Sequence, residues 1–140
     1  MSRAVFIDTN VLLDVFLNRI PFVENAQRIW SLAENRTLRG VISASSVLNV
    51  YYIVQKLASR QKADAAILGL QAVFDIEAID KNIIANAIHI RGTDFEDAVQ
   101  MACAARSKAI CLITRDERHF TKSQIPVISP AAFLAQLPNP

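Results

Sequence analysis

Cysteine, histidine, long apolar runs and net charge are all scarce in this chain. Its two cysteines, Cys103 and Cys111, sit in apolar contexts and match no metal-ligand spacing, so they read as buried reduced thiols. His89 has no second histidine at ligand spacing, which sets aside an imidazole metal site around it. No stretch approaches the roughly 20 apolar residues a membrane span needs, and no basic segment leads into a signal-length apolar run. A cytoplasmic protein with no membrane partner is therefore expected. A net charge of +2 is too small to announce nucleic-acid binding by itself. What the chain does have is core material: with 52% apolar and 20% charged residues over 140 positions, one compact domain spanning residues 1–140 is expected.

The segment from Ala4 to Asp14, AVFIDTNVLLD, organises the rest. Ala4-Val5-Phe6-Ile7 is a short apolar run of strand formers, and Thr9 or Asn10 can cap a helix through Val11, Leu12, Val15 and Phe16. Asp8 stands at the junction, either as a site residue beyond the carboxyl end of a parallel strand or simply as the helix cap.

Pro21 forces a break before a helix from Phe22 to Asn35, whose apolar stripe of Phe22, Ala26, Ile29, Trp30 and Ala33 reads as core or as a partner surface. Leu38 to Ser43 reads as a second strand, and Ser43 or Ser45 can cap a long helix reaching about Ala58. On that helix Asn49, Lys56 and Arg60 project within a narrow sector beside Tyr52 and Ile53, either to track a phosphate backbone or as an ordinary solvated face. A helix over Gln61 to Phe74 with Ala65, Leu68 and Ala72 inward, a weak strand over Asp75 to Ile79, and a helix starting at Asp80 follow.

Gly92 to Ser107, GTDFEDAVQMACAARS, is the second chemical stretch. Thr93 with Glu96 has capping-box spacing, and Asp94 is the alternative cap. Ala98, Met101, Ala102 and Ala105 then form a small-residue stripe suited to close packing on a sheet. Asp94 and Asp97 are three apart and share a face, so they can present two carboxylates together.

Ala109 to Ile113 is the clearest strand after the first and ends in Thr114-Arg115-Asp116. If it runs parallel to the first strand, Asp8 and Asp116 emerge at the same sheet edge, and right-handed crossovers open the Asp94 helix toward it too. Carboxylates so gathered raise one another's pKa unless a cation lies between them, and an oxygen-only donor set points to Mg²⁺ or Mn²⁺. A short fifth strand, Pro126 to Ile128, leads to Ser129 as cap and Pro130 at the first helical position.

Together DTNVLLD, ISASSVLNVYY, DFEDAVQMACA, and TRDERHF followed by IPVISPAAFL resemble a PIN domain, particularly the VapC-like toxin nucleases. The resemblance spans nearly the whole chain. It implies an α/β fold, a three-layer α/β/α sandwich around a central parallel sheet, and a Mg²⁺- or Mn²⁺-dependent ribonuclease acting on single-stranded RNA. A cognate antitoxin and a homodimer are implied as partners. By position, Asp8, Asp97 and Asp116 match the catalytic metal ligands, and Asp94 matches an additional acid of some members. Thr9, Asn10 and Thr114 match the residues that orient them. Lys56, Arg60, Arg115 and Arg118 are the expected cationic rim for RNA.

One position departs from the family pattern: Asn49 stands where the third helix usually supplies a glutamate, and an amide brings no negative charge to a metal site. Asn49 can still hold a ligand or water by hydrogen bonding, with Asp94 restoring the charge, or the module can be a non-catalytic one that binds RNA or a protein. Two other strand-end aspartate folds fit worse. A haloacid-dehalogenase-like phosphatase needs an acid where Asn10 stands, and a phosphoacceptor receiver domain needs a lysine where Ile128-Ser129-Pro130 has none.

Overall fold

A computed structural model describes residues 3–90 and 92–138; the outermost positions of the expected 1–140 domain lie outside the described residues. The chain builds β1 (Arg3–Ile7), α1 (Thr9–Phe16), α2 (Val23–Glu34), β2 (Leu38–Ser43), α3 (Ala44–Leu57), α4 (Arg60–Val73) and β3 (Asp75–Glu77). It continues with α5 (Lys81–Ile88), α6 (Phe95–Arg106), β4 (Leu112–Ile113), a 3-10 turn (Glu117–Phe120), β5 (Val127–Ile128) and α7 (Pro130–Ala135).

Among the described residues the strands form one parallel five-stranded sheet in the order β3-β2-β1-β4-β5. The chain works outward from β1 to β3, then returns to β1's other side with β4. Strand order therefore reverses between β1 and β4, and the crevice at such a reversal is where open parallel sheets bind ligands. Paired residues Phe6 with Leu112 and Ile7 with Ile113 set the register there.

Alternation along the strands makes the layers. Val5, Ile7, Ile42 and Ile113 face a core shared with α1, α2, α3, α4 and α7, whereas Phe6, Val41 and Leu112 face one shared with α5 and α6. This is the expected three-layer α/β/α sandwich. Trp30 is half-buried on the first side, edge-on to Phe16 at 5.4 Å and to Phe74 at 4.9 Å, so with Ala26, Ile29 and Ala33 it serves the core, whereas Phe22 precedes the helix and is exposed. Gly40 in β2 admits that packing, since a Cβ there would lie 2.5 Å from Phe74 Cδ1. Both cysteines are buried and free, and burial pushes each thiol up to about 11.

Side-chain caps decide most helix starts. Ser43, Ser59, Asp80, Asp94 and Ser129 each accept a backbone N–H from the first turn of the helix that follows. Several sequence expectations change in the process. Asp8, and not Thr9 or Asn10, caps α1 by accepting from Thr9 N at 2.8 Å. Thr93 takes no part in a capping box with Glu96, because Asp94 holds that position and the Thr93 hydroxyl donates to the His119 carbonyl at 3.2 Å. The long third helix ends at Leu57, where Ser59 starts a new one, so Arg60 opens α4 and does not extend the Asn49–Lys56 sector. On α4 the buried residues are Ala63, Ala66 and Leu70, while Ala65, Leu68 and Ala72 face solvent. An alanine-rich helix carries several near-equivalent stripes, and packing on α3 selects among them. β3 stops at Glu77, and β4 and β5 are shorter than the apolar runs that contain them.

Candidate active site between β1 and β4

Asp8 follows β1 directly, and its backbone N–H donates to the Ile113 carbonyl at 3.0 Å, which continues the β1–β4 ladder into the site. The carboxylate is buried, with a relative exposure of 8%. Oδ2 accepts from the Thr114 hydroxyl at 2.8 Å; Oδ1 accepts from Thr9 N at 2.8 Å and from Gln100 Nε2 at 3.2 Å. Burial pushes the Asp8 pKa up, the hydrogen bonds from Thr114, Gln100 and Thr9 oppose the rise, and the charge of Asp116 adds to it.

Asp116 is set by β4 through a relay. Thr114 Oγ1 accepts from Asp116 N at 3.0 Å, and Asn10 Nδ2 donates to Asp116 Oδ2 at 3.3 Å and, at the limit of bonding, to Thr114 Oγ1 at 3.5 Å. Asn10 Oδ1 is buried with no partner, an acceptor left over beside the acids.

Asp97 lies in the first turn of α6, behind Asp94. Its pKa is pushed up to about 6 by burial, then by the negative charges of Asp8, Asp94 and Glu96, against a pull from His119, whose Nδ1 lies 3.6 Å from Asp97 Oδ2. Asp94 itself is occupied as the cap, its Oδ1 accepting from Glu96 N at 2.8 Å and Asp97 N at 3.3 Å. Asp8 thus feels the charge of Asp116 from the end of β4, and Asp97 on α6 feels that of Asp8.

Gln100 is a site residue that motif reading passes over. It sits one turn after Asp97, 2% exposed, donating to Asp8 Oδ1 and Ser46 Oγ, both at 3.2 Å, and accepting from the Ser43 hydroxyl. The Thr9 and Ser46 hydroxyls lie 2.7 Å apart and close the network. The available signal was a buried amide in a helix stretch otherwise made of apolar residues, from Ala98 to Ala104.

The expected cations separate. Arg115 is bound to buried Asp14 by two hydrogen bonds, of 2.7 and 3.0 Å, and its guanidinium lies 3.9 Å from the centroid of the Phe22 ring. Lys56 lies in the last turn of α3 and Arg60 in the first of α4, both exposed. Arg118 alone of the four lines the small cleft that holds Asp94, Asp97 and His119. Asn49, on α3, donates to Glu96 Oε1 at 2.6 Å.

Among the described residues no three acidic, histidine or cysteine side chains close on a single point as a ready-made metal cage. The donor chemistry still fits a hydrated Mg²⁺ or Mn²⁺. Such ions keep several waters and need only one or two direct carboxylates, and the acids here offer oxygens, with the partnerless Asn10 Oδ1 as a further oxygen acceptor and His119 Nδ1 as a nearby nitrogen, 3.6 Å from Asp97 Oδ2.

A PIN domain family model matches residues 4–118, and the chain belongs to that family. A toxin–antitoxin complex from Klebsiella pneumoniae matches at 25% identity and a TM-score of 0.68, over 90% of this chain and 97% of that one. VapBC2 from Rickettsia felis, crystallised on a DNA fragment from its promoter, shares the fold at a TM-score of 0.71 and 13% identity, over 90% and 98% of the two chains. VapC20 from Mycobacterium tuberculosis, described as a sarcin-ricin loop cleaving toxin, shares it at 0.63 and 16%, over 77% and 86%. No curated protein sequence matches the chain. No helix among the described residues is long and apolar enough to cross a membrane.

Proposed function

We propose that this chain is a divalent-metal-dependent endoribonuclease that hydrolyses single-stranded RNA, acting as the toxin of a toxin–antitoxin pair. The observation that carries the reading is buried Asp8 at the β1–β4 reversal, within electrostatic reach of both Asp97 and Asp116. Asp8, Asp97 and Asp116 would hold Mg²⁺ or Mn²⁺, with Asp94 adding negative charge from the cap. When bound, such an ion supplies an activated water and neutralises charge that develops on the phosphodiester.

The remaining residues prepare that chemistry. Thr114 and Gln100 fix the two oxygens of Asp8, and Asn10 fixes Asp116, so the acids need little reorganisation. Arg118, which lines the cleft of Asp94 and Asp97, would serve as a cation for the RNA backbone, with exposed Lys56 on α3 and Arg60 on α4 as further candidates. The Klebsiella complex and the VapBC structures support an antitoxin as protein partner, and the family resemblance adds a homodimer.

The test is cleavage of a mixed single-stranded RNA pool with Mg²⁺, Mn²⁺ or chelator, by the intact protein and by Asp8→Asn. Cleavage that requires both metal and Asp8 supports the nuclease. A second reading, a non-catalytic PIN module that binds RNA or a protein, draws on Asn49 and on the lack of a closed three-ligand cage among the described residues. It is favoured if folded, inhibitor-free protein cuts with neither metal.

A further inference from the structure

The buried Gln100 amide can serve Asp8 in only one of its two orientations. An ionised carboxylate accepts hydrogen bonds and donates none, so the amide end that faces Asp8 Oδ1 at 3.2 Å must be the NH₂. The second proton of that NH₂ goes to Ser46 Oγ, also at 3.2 Å. The carbonyl end then points at Ser43 and needs a donor. A half-rotation about the last bond of a glutamine exchanges the two ends within the same volume, so packing alone does not choose between them. The groups at the two ends do.

Ser43 ends β2, caps α3 and is fully buried. Its Oγ accepts the Ser46 N–H at 3.1 Å, which satisfies the cap and leaves the hydroxyl proton to be given elsewhere. Gln100 Oε1 takes it, in preference to Ser46 Oγ, which lies 3.3 Å away and already accepts from Gln100. Capping needs only an acceptor, and an aspartate would supply one as well. A hydroxyl accepts toward α3 and donates toward α6 at once.

With the amide held this way, Asp8 Oδ1 is filled by Thr9 N and Gln100 Nε2, whereas Oδ2 takes only the Thr114 hydroxyl. The lone pair left over on Asp8 therefore lies on Oδ2, the oxygen beside Thr114, whose Oγ1 in turn accepts from Asp116 N. A reversed amide would set a carbonyl oxygen against Oδ1 and drive the carboxylate out of this alignment.

We propose that Ser43 is a positioning residue of the active site: acting from β2 through Gln100, its hydroxyl fixes which oxygen of Asp8 is free to act. This rests on the nuclease reading above, in which Asp8 is the central acid.

Two measurements on the full chain test it. Neutron diffraction from crystals grown in D₂O is expected to place the Ser43 deuteron on the bond to Gln100 Oε1 and the Nε2 deuterons toward Asp8 Oδ1 and Ser46 Oγ. The opposite amide orientation overturns the inference. Steady-state cleavage of a fluorescent single-stranded RNA with Mg²⁺ or Mn²⁺ is the second. Ser43→Gly, which leaves a backbone tolerated at a helix cap but removes the hydroxyl, should lower kcat about tenfold with KM within twofold, and Ser43→Thr should restore it. In the Gln100→Leu background Ser43→Gly should add no further loss, because it acts through Gln100. Ser129→Gly empties the comparable cap of α7 and should leave kcat within twofold, with thermal melts verifying every fold. If Ser43→Gly does not fold, the deuteron positions decide. If the parent cleaves in an Asp8-dependent way but Ser43→Gly stays within twofold of it, or the two losses multiply, this inference is overturned and the nuclease reading stands. If the parent cleaves with neither metal, both fall.

Discussion

Asp14 on α1 and Arg115 after β4 meet through paired hydrogen bonds of 2.7 and 3.0 Å, and Asp14 is 1% exposed. The pair ties the helix that Asp8 caps to the segment that carries Asp116, so it braces the candidate site from behind. Removing Arg115 strands a buried carboxylate. Because Arg19 stands 3.8 Å from Asp14 as a second cation, Arg115→Ala should cost about 2 kcal/mol, below the ~3–5 kcal/mol of a fully isolated pair. Urea unfolding measures this, and the double variant Asp14→Leu with Arg115→Met should recover most of the loss.

Gln100→Leu removes a donor from Asp8 and from Ser46 while preserving bulk. Those groups are buried, so a loss of about 2 kcal/mol in urea unfolding is expected. Asp8 should titrate still higher in this variant, since the Gln100 hydrogen bond lowers its pKa. An unchanged unfolding midpoint would mean that the network carries no weight.

Asp97 makes stability depend on pH in a defined direction. Its folded pKa, about 6, lies above the ordinary value of 3.8, so the folded state binds more protons between those limits. Stability must therefore fall as pH rises from about 4 to about 6, and the cost is fully present above that window. In chelator, Asp97→Asn should be more stable than the parent at pH 7 by on the order of 1 kcal/mol, after allowance for solvent screening. The advantage should vanish near pH 4. The same substitution should abolish RNA cleavage with Mg²⁺ or Mn²⁺.

Among the cations, position predicts rank. Arg118→Glu should weaken single-stranded RNA binding about tenfold and flatten its salt dependence by about 0.7 in log–log slope for each phosphate no longer neutralised. Lys56→Glu should have a smaller effect, because Lys56 is in the last turn of α3 whereas Arg118 lines the cleft of Asp94 and Asp97. Fluorescence anisotropy at several salt concentrations separates the two; equal effects would spread the RNA path over both surfaces.

Local chemistry determined much of this protein. Four apolar residues followed by Asp8, the run from Leu38 to Ser43, and the caps Ser43, Asp80 and Ser129 each carry their structural signal within a few positions, through burial pattern or a short hydrogen bond. Alternating strands and helices suggest a parallel layout, which would bring Asp8 and Asp116 to one sheet edge, and the β1–β4 pairing is indeed parallel. Tertiary structure decided what depends on side chains meeting across the chain. The inward face of α4, the commitment of Arg115 to Asp14, the hub role of Gln100 and the hold of Asn49 on Glu96 join residues from different elements. Charge and amide groups have several equally good local readings, and only the packing of α1, α3 and α6 around the β1–β4 crevice selects the partner each one finds.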